Sequence, residues 1–301
     1  MSIATDALDE LKTMLEPAPQ PGEDRSPAPL PATVLGRKPG WRVVDRSELW
    51  RYRELVYFLA WRDVKVRYKQ AALGASWAIL QPLVTMIIFT LFFNRLAGIR
   101  SEGVPYPLFS YSALVLWTYF AGVIGQAGQS LVSNQNLITK IYFPRLVLPA
   151  SSAVSGLIDF LAGLGFLIVL MGYYHVHPGW SLLWAPVFLA GLFLFTVGVS
   201  LILAALNVQF RDVKYVIPFL IQLGLFVTPV IYPVSFLPRR FQTLVVLNPL
   251  SGIIEGFRAC LFAGSRLDPM LTVVSLTGSA LVFIAGVVYF RRAEHRFADI
   301  I

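Results

Sequence analysis

The chain has 301 residues, of which 56% are hydrophobic and only 14% are charged, and its mean hydropathy is +0.65. A soluble domain carries roughly 25% charged residues, so the composition excludes a soluble globular enzyme and predicts an integral membrane protein. One cysteine excludes a disulfide scaffold and a cysteine-based metal site. The net charge of +8 is typical of a membrane protein with basic cytoplasmic loops, and we expect no nucleic-acid partner.

The N-terminal arm, residues 1–45, differs from the rest of the chain. Seven prolines fall between residues 17 and 39, and the first 16 residues are acidic without an apolar core. This composition predicts a disordered cytoplasmic arm and not a signal peptide. We expect the arm to act as a solvated tether, with a docking tail as the alternative. Residues 46–301 then form the membrane domain.

An amphipathic segment follows at 47–63. Its apolar residues fall on one helical stripe, and it also contains aromatic residues that favour the boundary between water and lipid. The stripe consists of Leu49, Tyr52, Leu55, Val56 and Leu59, and the aromatic residues are Trp50, Tyr57 and Trp61. We expect a helix lying on the cytoplasmic leaflet and leading into the first span.

Uncharged stretches long enough to cross a bilayer define the transmembrane helices. The turn at 175–179 divides the longest stretch in two. The fold class is therefore an all-α polytopic membrane protein with six transmembrane helices, at about 74–95, 107–131, 147–173, 181–206, 213–232 and 270–290.

The segment 241–263, between spans five and six, is too broken and too charged for a simple span. It contains Asn248-Pro249, two glycines, Glu255 and Arg258. We expect a re-entrant helix pair on the outer side, because irregular backbone at membrane depth must be shielded by protein. A loop lying on the bilayer surface is the alternative.

Basic residues give the orientation. Lys and Arg are more numerous in the segments 42–73, 140–145, 211–214 and 291–296 than in the loops on the opposite side. The excess places both termini in the cytoplasm of a multi-pass plasma (inner) membrane protein.

Catalytic motifs are missing from the sequence. There is no G-x-x-x-x-G-K-[ST] phosphate loop, no H-E-x-x-H and no paired-aspartate metal motif. His175 and His177 flank one residue of a short loop and lack a third metal ligand. We expect no catalytic residue, no metal site and no cofactor bound by this chain, which is then a transport subunit and not an enzyme.

Three polar segments between the spans carry a specific signal together. They read R-D-V-K-V-R-Y at 62–68, N-Q-N-L-I-T-K-I-Y-F-P at 134–144 and N-V-Q-F-R-D-V-K at 207–214, and N-P-L follows at 248–250. In these segments the chain resembles the permease subunits of type-2 ABC exporters, and among them the O-antigen, teichoic-acid and capsule polysaccharide exporters. The resemblance covers residues 47–295.

The resemblance implies a division of labour between subunits. Two copies of the permease form a homodimer, and each copy docks a separate P-loop ATPase subunit that binds ATP and Mg. The dimer axis holds a channel through which a lipid-linked glycan leaves the cytoplasm. The missing phosphate loop agrees with this division.

The resemblance also implies a coupling helix at 133–143, which passes force from the ATPase to the spans. Its contact residues would be Asn134, Asn136, Leu137, Ile138, Lys140 and Ile141. An ordinary cytoplasmic turn is the alternative.

Basic residues before the first span suggest a place where the pyrophosphate of a lipid-linked substrate is received. They are Arg62, Lys65, Arg67 and Lys69. Cations in this position also bind anionic headgroups, so an anchor on the lipid surface is the alternative.

Aromatic side chains in the spans can pack against sugar rings without gripping them. The candidate channel residues are Trp77, Phe89, Phe93, Trp117, Tyr119, Phe120, Phe226 and Tyr232. Aromatic residues also fill membrane cores and interface belts, which is the alternative role.

Charged residues outside the cytoplasmic segments are few. Asp159 lies in span three, where we expect it to face protein, to be protonated or to lie nearer an interface, in a structural role. Arg239, Arg240 and Arg258 are candidates for contact with the departing lipid headgroup at the outer leaflet. Glu255 and Arg258 are three residues apart and can instead form a structural pair.

Three alternative functions remain open from the sequence. A type-2 ABC permease could carry a drug or another lipid. A membrane-embedded glycosyl or prenyl transferase would need acidic metal ligands near the membrane surface, and only scattered acids are present. A secondary transporter would need inverted repeats and ionisable groups within the membrane.

Overall fold

The computed structural model of the chain describes residues 50, 52–69, 73–99, 101, 103–140, 143–262 and 267–300, with the side chains of 244 and 298–300 left out. Within these residues the fold is helical and contains no strand. Ten α-helices follow one another: α1 (Arg53–Tyr68), α2 (Trp77–Phe89), α3 (Tyr106–Ser133), α4 (Gln135–Lys140), α5 (Val147–Tyr173), α6 (Ala185–Gln209), α7 (Val213–Val227), α8 (Arg239–Val246), α9 (Pro249–Leu261) and α10 (Pro269–Ile300). The arm at 1–45 and Ile141 lie outside the described residues.

Five helical segments are long and apolar enough to cross a membrane. They are Gly74–Leu96, Tyr106–Ser133, Val147–Tyr173, Trp180–Gln209 and Pro269–Phe297. The first segment begins with a 3-10 turn before α2 and ends in a π-helical stretch, Thr90–Leu96. The fourth segment begins with a 3-10 turn before α6. These segments correspond to five of the six predicted spans, and the third has the predicted bounds.

The helix within the fifth predicted span, 213–232, is shorter than the sequence indicated. Helix α7 ends at Val227, and Thr228 is extended with a ψ of 142°. The next residue is Pro229, which disfavours helical backbone in the residue before it. The 15 residues of α7 rise about 22 Å, which is less than the roughly 30 Å of a hydrocarbon core.

Helix α3 forms the centre of the fold. It packs against α2, α5, α6, α7 and α9, and it is buried along most of its length. Burial on several sides explains why its sequence is apolar all round instead of amphipathic. The elements on its α1, α2 and α5 side form the walls of the site described below.

Helices α6 and α10 approach each other most closely, and glycines permit the approach. A Cβ atom on Gly198 would lie 2.7 Å from the Cα atom of Phe283, and one on Gly286 would collide with the carbonyl oxygen of Gly198. Small residues at helix crossings let membrane helices pack backbone to backbone. This crossing fixes α10, the last helix, to the rest of the fold.

Helix α1 packs against α5 and continues five residues beyond the predicted end at 63. Leu59, Ala60 and Val64 are buried, and Tyr52, Leu55 and Val56 pack partly buried against the core. The described part of the predicted apolar stripe therefore faces protein. The aromatic side chains of Tyr57, Phe58 and Trp61 are exposed.

The described part of the segment 241–263 lies mostly in two short helices, α8 and α9, joined at Leu247 and Asn248. The Asn248 side chain accepts a hydrogen bond from the Leu250 main-chain N–H at 3.2 Å, and Pro249 occupies the first turn of α9. An asparagine cap followed by proline is a typical helix start. The break that the sequence indicated at Asn248-Pro249 is therefore a helix boundary.

Candidate functional site

A cavity of about 650 Å3 lies between α1, α2, α3, α5 and α7. We name it the aromatic cavity because five aromatic rings line it together with amide, hydroxyl and charged groups. The aromatic residues are Tyr68, Trp77, Trp117, Tyr119 and Phe160, and the other polar ones include Arg67, Gln81, Thr85, Gln126 and Asp159. Rings beside hydrogen-bonding groups are suited to a ligand with both apolar and polar faces.

An ion pair forms one wall of the aromatic cavity. The Arg67 guanidinium donates to the Asp159 carboxylate, and it also donates to the Gln126 side-chain oxygen at 2.6 Å. The Tyr68 hydroxyl donates to the same carboxylate. Asp159 thus faces protein, which is one of the three situations expected from the sequence. Its partners come from α1 at the other side of the cavity.

The two charges of this pair are only partly shielded. The exposed fractions of the Arg67 and Asp159 side chains are 32% and 29%. Burial, assisted by the hydrogen bond to Asp159, raises the pKa of Tyr68 to about 12, so the hydroxyl keeps its proton and stays a donor. The pair therefore has access to whatever fills the cavity.

A second cavity, of about 380 Å3, adjoins the first at Arg67 and Gln126, which line both. Its other lining residues are mostly polar, so we name it the polar cavity; they are Arg62, Asp63, Val66, Ser130, Ser133, Asn134 and Ser152. Asn134 joins α3 to α4, so this cavity lies on the α4 side of the ion pair. Arg67 is positioned between a polar chamber and an aromatic one.

The four predicted basic receiving residues do not all lie on one side of α1. Arg67 lines both cavities and the exposed Arg62 lines the polar cavity, whereas Lys65 and Lys69 are exposed and line neither. Arg62 pairs with Asp63 at 2.9 Å, and the Lys65 ammonium lies 5.5 Å from the centre of the Trp61 ring. Helical spacing separates Arg67 from Lys65 and Lys69, because residues three and four apart share a face and residues two apart do not.

The predicted channel aromatics divide into two groups. Phe89, Trp117, Tyr119 and Phe120 are buried, and Phe93 is partly buried against the same core. Phe120 stacks on Phe195 with ring centres 5.4 Å apart, so it belongs to the packing of α3 on α6. Trp77 and Phe226 are exposed, and the half-buried Tyr232 donates its hydroxyl to the Phe226 carbonyl oxygen at 2.8 Å.

The predicted coupling segment contains a separate short helix, α4, between α3 and α5. The side-chain amide of Asn134 donates to the Ser130 carbonyl oxygen at 2.8 Å. The main-chain carbonyl oxygen of Asn134 accepts from the main-chain N–H groups of Leu137 and Ile138. Leu137 and Ile138 are half-buried against the core. The outward residues are polar, namely Gln135, Asn136, Thr139 and Lys140. Of the predicted contact residues, Asn136 and Lys140 are exposed, whereas Asn134, Leu137 and Ile138 are half-buried.

Arg145, two residues after this segment, connects it to the last helix. The Arg145 main-chain N–H donates to the Glu294 carboxylate at 3.2 Å, and its guanidinium donates to the Glu294 main-chain carbonyl oxygen at 3.0 Å. The same guanidinium lies 5.8 Å from the centre of the Phe297 ring. The α4 region is thereby attached to the C-terminal end of α10.

Arg258 requires a correction. Its side chain is 3% exposed and donates to the carbonyl oxygens of Phe109, Pro229 and Val230 and to the Glu255 carboxylate, at 2.8 to 3.3 Å. It therefore holds α9 against the ends of α3 and α7 and does not face lipid headgroups. The pair with Glu255 is confirmed, at 3.0 Å. Arg239 and Arg240 are exposed on α8.

The sequence of this chain is similar to those of known proteins. The family model described as ABC-2 type transporter matches residues 54–262. The chain belongs to this family. The O-antigen export system permease protein RfbA of Myxococcus xanthus is 31% identical over 84% of this chain and 97% of that protein, and its namesake in Klebsiella pneumoniae is 30% identical over 82% and 95%. The polysialic acid transport protein KpsM of Escherichia coli is 22% identical over 77% and 91%.

Membership decides several questions that the sequence left open. The chain is a multi-pass membrane permease and not an enzyme, so the transferase interpretation is wrong, and the secondary-transporter interpretation fails with it. Permeases of this family work with a separate ATPase subunit. Within the described residues, no three His, Cys, Asp or Glu side chains are grouped closely enough to hold a metal ion.

Sequence reasoning about the permease missed the partners of two charged residues. Asp159 pairs with Arg67, 92 residues away, and Arg145 pairs with Glu294, 149 residues away. No short-range spacing signals such pairs. The one available signal was the cost of a lone charge at membrane depth, which requires a partner somewhere.

Proposed function

We propose that this permease is the membrane half of an ATP-driven exporter that moves a lipid-linked polysaccharide out of the cytoplasm across the bacterial plasma (inner) membrane. The glycan is of the O-antigen, teichoic-acid or capsule type. The names of the relatives support this substrate class, and similarity extends over nearly the whole length of the O-antigen permeases. The observation that carries the proposal is the aromatic cavity, where rings and Arg67 lie together.

The chemistry of this cavity fits both parts of such a substrate. The C–H faces of a sugar pack on rings such as Trp77 and Trp117, and its hydroxyls can bond to Gln81 and Gln126. A guanidinium binds phosphate oxygens through charge-assisted hydrogen bonds. Arg62, Lys65 and Lys69, exposed on the same helix, would attract the pyrophosphate before it reaches Arg67.

The assembly that we propose is a homodimer with two copies of a P-loop ATPase and a channel at the dimer axis. Trp77 on α2 and Phe226 on α7 are exposed apolar rings, and both helices expose further large apolar side chains. Such faces must meet lipid or another protein in a membrane. Placed at the dimer axis, they would line the channel together with the rings of the aromatic cavity.

The membrane topology belongs to the same proposal. Six spans, with α7 and the residues that follow it as the fifth, leave both termini in the cytoplasm. Helix α1 is the interfacial helix, since its protein-facing side is apolar and Tyr57, Phe58 and Trp61 remain for the lipid boundary. Helices α8 and α9 form the outer re-entrant pair, where the exposed Arg239 and Arg240 would meet the departing headgroup.

Energy enters through α4 in this proposal. ATP and Mg bind in the partner subunit, and no cofactor binds to this chain. The exposed groups of Asn136 and Lys140 contact the ATPase, while Leu137 and Ile138 hold α4 to the spans; Asn134 fixes the first turn, and Ile141 continues the segment. ATP binding and hydrolysis then bias two arrangements of the spans.

A second candidate function is export of a drug or another lipid by the same machinery. The rings of the aromatic cavity favour it, because they bind any flat apolar molecule. The two candidates differ in their need for the cations of α1, since a neutral drug requires none.

The experiment is a triple substitution, Lys65→Gln, Arg67→Gln and Lys69→Gln, in the native bacterium. We expect export of the glycan to fall much more than membrane insertion or ATPase binding, with the lipid-linked glycan accumulating on the cytoplasmic side. The matched control is Arg53→Gln, an exposed cation on the same helix. An equal loss of export, insertion and ATPase binding would contradict a role in receiving the substrate.

A further inference from the structure

The ion pair between Arg67 and Asp159 occupies a position where a simple structural contact would be costly. It lies between two cavities, with each side chain about 30% exposed, instead of in a closed interior. Asp159 lies 12 residues after the start of α5 at Val147, which is about 18 Å along the helix at 1.5 Å per residue. Both members of the pair are therefore open to a ligand in the cavities.

Hydrogen bonds hold the two charged groups of this pair in place. Arg67 and Tyr68 both donate to Asp159, and Gln126 accepts from the far side of the Arg67 guanidinium. Two donors aimed at two oxygens of one anion make an oxyanion site, and arginine with a phenol serves phosphate as well as it serves carboxylate. The carboxylate of Asp159 fills this site now.

We propose that Asp159 is a resident stand-in for the phosphate of the substrate, which displaces it from Arg67 and Tyr68 when the substrate binds. This proposal rests on the proposed function, because it assumes a ligand with a phosphate or diphosphate group. The Asp159 carboxylate balances the positive charge of Arg67 while no substrate is bound, and the phosphate of the substrate balances it afterwards. Because the Arg67 side chain is 32% exposed, water can solvate it during the exchange of one anion for the other.

The two cavities give the exchange a route. A phosphate arriving through the polar cavity meets Arg62 and the hydroxyls of Ser130 and Ser133 before it reaches Arg67. The sugar rings that follow the phosphate are then directed towards the aromatic cavity on the other side. Because Arg67 belongs to α1 and Asp159 to α5, the exchange also releases α1 from α5 at this end of the helix.

A displaceable carboxylate and a structural pair predict opposite results for one substitution. Neutralising Asp159 removes the competitor, so a phosphate ligand should bind more tightly. Neutralising Arg67 removes the binding group, so the same ligand should bind more weakly. If the pair served the fold alone, loss of either member would damage the protein in the same direction.

The test measures binding of farnesyl diphosphate to the full chain in phosphatidylcholine nanodiscs. We expect Asp159→Asn to tighten binding about tenfold and Arg67→Gln to weaken it about tenfold, since each changes one charge at the site. Glu54→Gln is the matched control: it removes a carboxylate that is exposed on α1, and its affinity should equal that of the wild type. Farnesol, which has no phosphate, should show no difference between the variants.

Further measurements distinguish the substrate from an ordinary lipid headgroup and this inference from the proposed function. If nanodiscs containing phosphatidylglycerol abolish the difference between wild type and Asp159→Asn, an ordinary anionic headgroup fills the site, and the assignment to the substrate is wrong. If Asp159→Asn fails to fold, Asp159→Ser takes its place; failure of both means that the carboxylate holds the fold together and overturns the proposal. Wild type that ignores farnesyl diphosphate contradicts the proposed function itself, whereas unchanged affinity in Asp159→Asn contradicts only this inference.

Discussion

The Arg145 guanidinium donates to the main-chain carbonyl oxygen of Glu294 at 3.0 Å, and the Glu294 carboxylate accepts from the Arg145 main-chain N–H at 3.2 Å. The two residues join the segment after α4 to the C-terminal end of α10. Helix α10 in turn packs on α6 through the crossing at Gly198 and Gly286. A displacement of α4 is therefore passed to two spans besides its neighbours α3 and α5.

The Glu294→Ala substitution tests this connection. It removes the acceptor of the Arg145 N–H and the partner of Arg291, whose guanidinium lies 3.6 Å away. We expect a loss of stability of about 1 kcal/mol and a larger loss in the export obtained per ATP hydrolysed. Export and ATPase rates of the reconstituted complex measure it, with the exposed neighbour His295→Ala as the control. Unchanged export per ATP would contradict a mechanical role.

The two faces of α4 should respond differently to substitution. Lys140 is exposed, so Lys140→Glu should weaken ATPase binding without lowering the amount of folded permease. Leu137 is half-buried, so Leu137→Ala should cost about 1–2 kcal/mol of stability, less than for a fully buried leucine. Quantitative pull-down and thermal unfolding separate the effects. The hypothesis is wrong if Lys140→Glu binds the ATPase like the wild type.

The crossing of α6 and α10 should tolerate no added methyl group. Gly286→Ala places a Cβ atom against the Gly198 carbonyl oxygen, and overpacking of this kind costs about 1–3 kcal/mol. Gly165→Ala on α5 is the matched control, since no atom lies within 4 Å of its added Cβ atom. Thermal unfolding in detergent should show a lower midpoint for the first variant only. Equal midpoints would mean that the helices can separate freely.

The buried Arg258 should be essential for stability. In Arg258→Met the Phe109, Pro229 and Val230 carbonyl oxygens lose their donor, so we expect a loss of about 3 kcal/mol. Arg240→Met, which removes an exposed cation, should change stability by less than about 0.5 kcal/mol. Unfolding midpoints measure both variants. An Arg258→Met variant as stable as the wild type would contradict the structural role of this residue.

The sequence could predict the elements that depend on local pattern. The bounds 147–173 were predicted as they are found in α5, because a long apolar run with few breaks specifies a span by length alone. The helix of span five ends earlier than the predicted bound, since Thr228 to Tyr232 carry no charge that marks an end by hydropathy. Pro229 was the available signal, and the extended backbone of Thr228 shows where the helix ends.

The site depended on contacts between distant segments and could be predicted only in part. Arg67, Trp77 and Trp117 were recognised as residue types suited to the substrate, and they do line one cavity. Their neighbour Asp159 was placed outside the site, because its partner comes from α1. Phe120 was assigned to the channel although it stacks on Phe195, since a sequence does not show which side of a buried helix faces a neighbour.

The central claim is that this permease works with a P-loop ATPase on a lipid-linked glycan, and one purification tests it most directly. The chain is isolated in detergent from its native membranes, and co-purifying proteins, ATPase activity and extracted lipids are quantified. The account predicts an equimolar P-loop ATPase, ATP hydrolysis and a glycan attached to a lipid diphosphate. A chain that comes out alone and inactive towards ATP, under conditions that preserve known complexes, would contradict it.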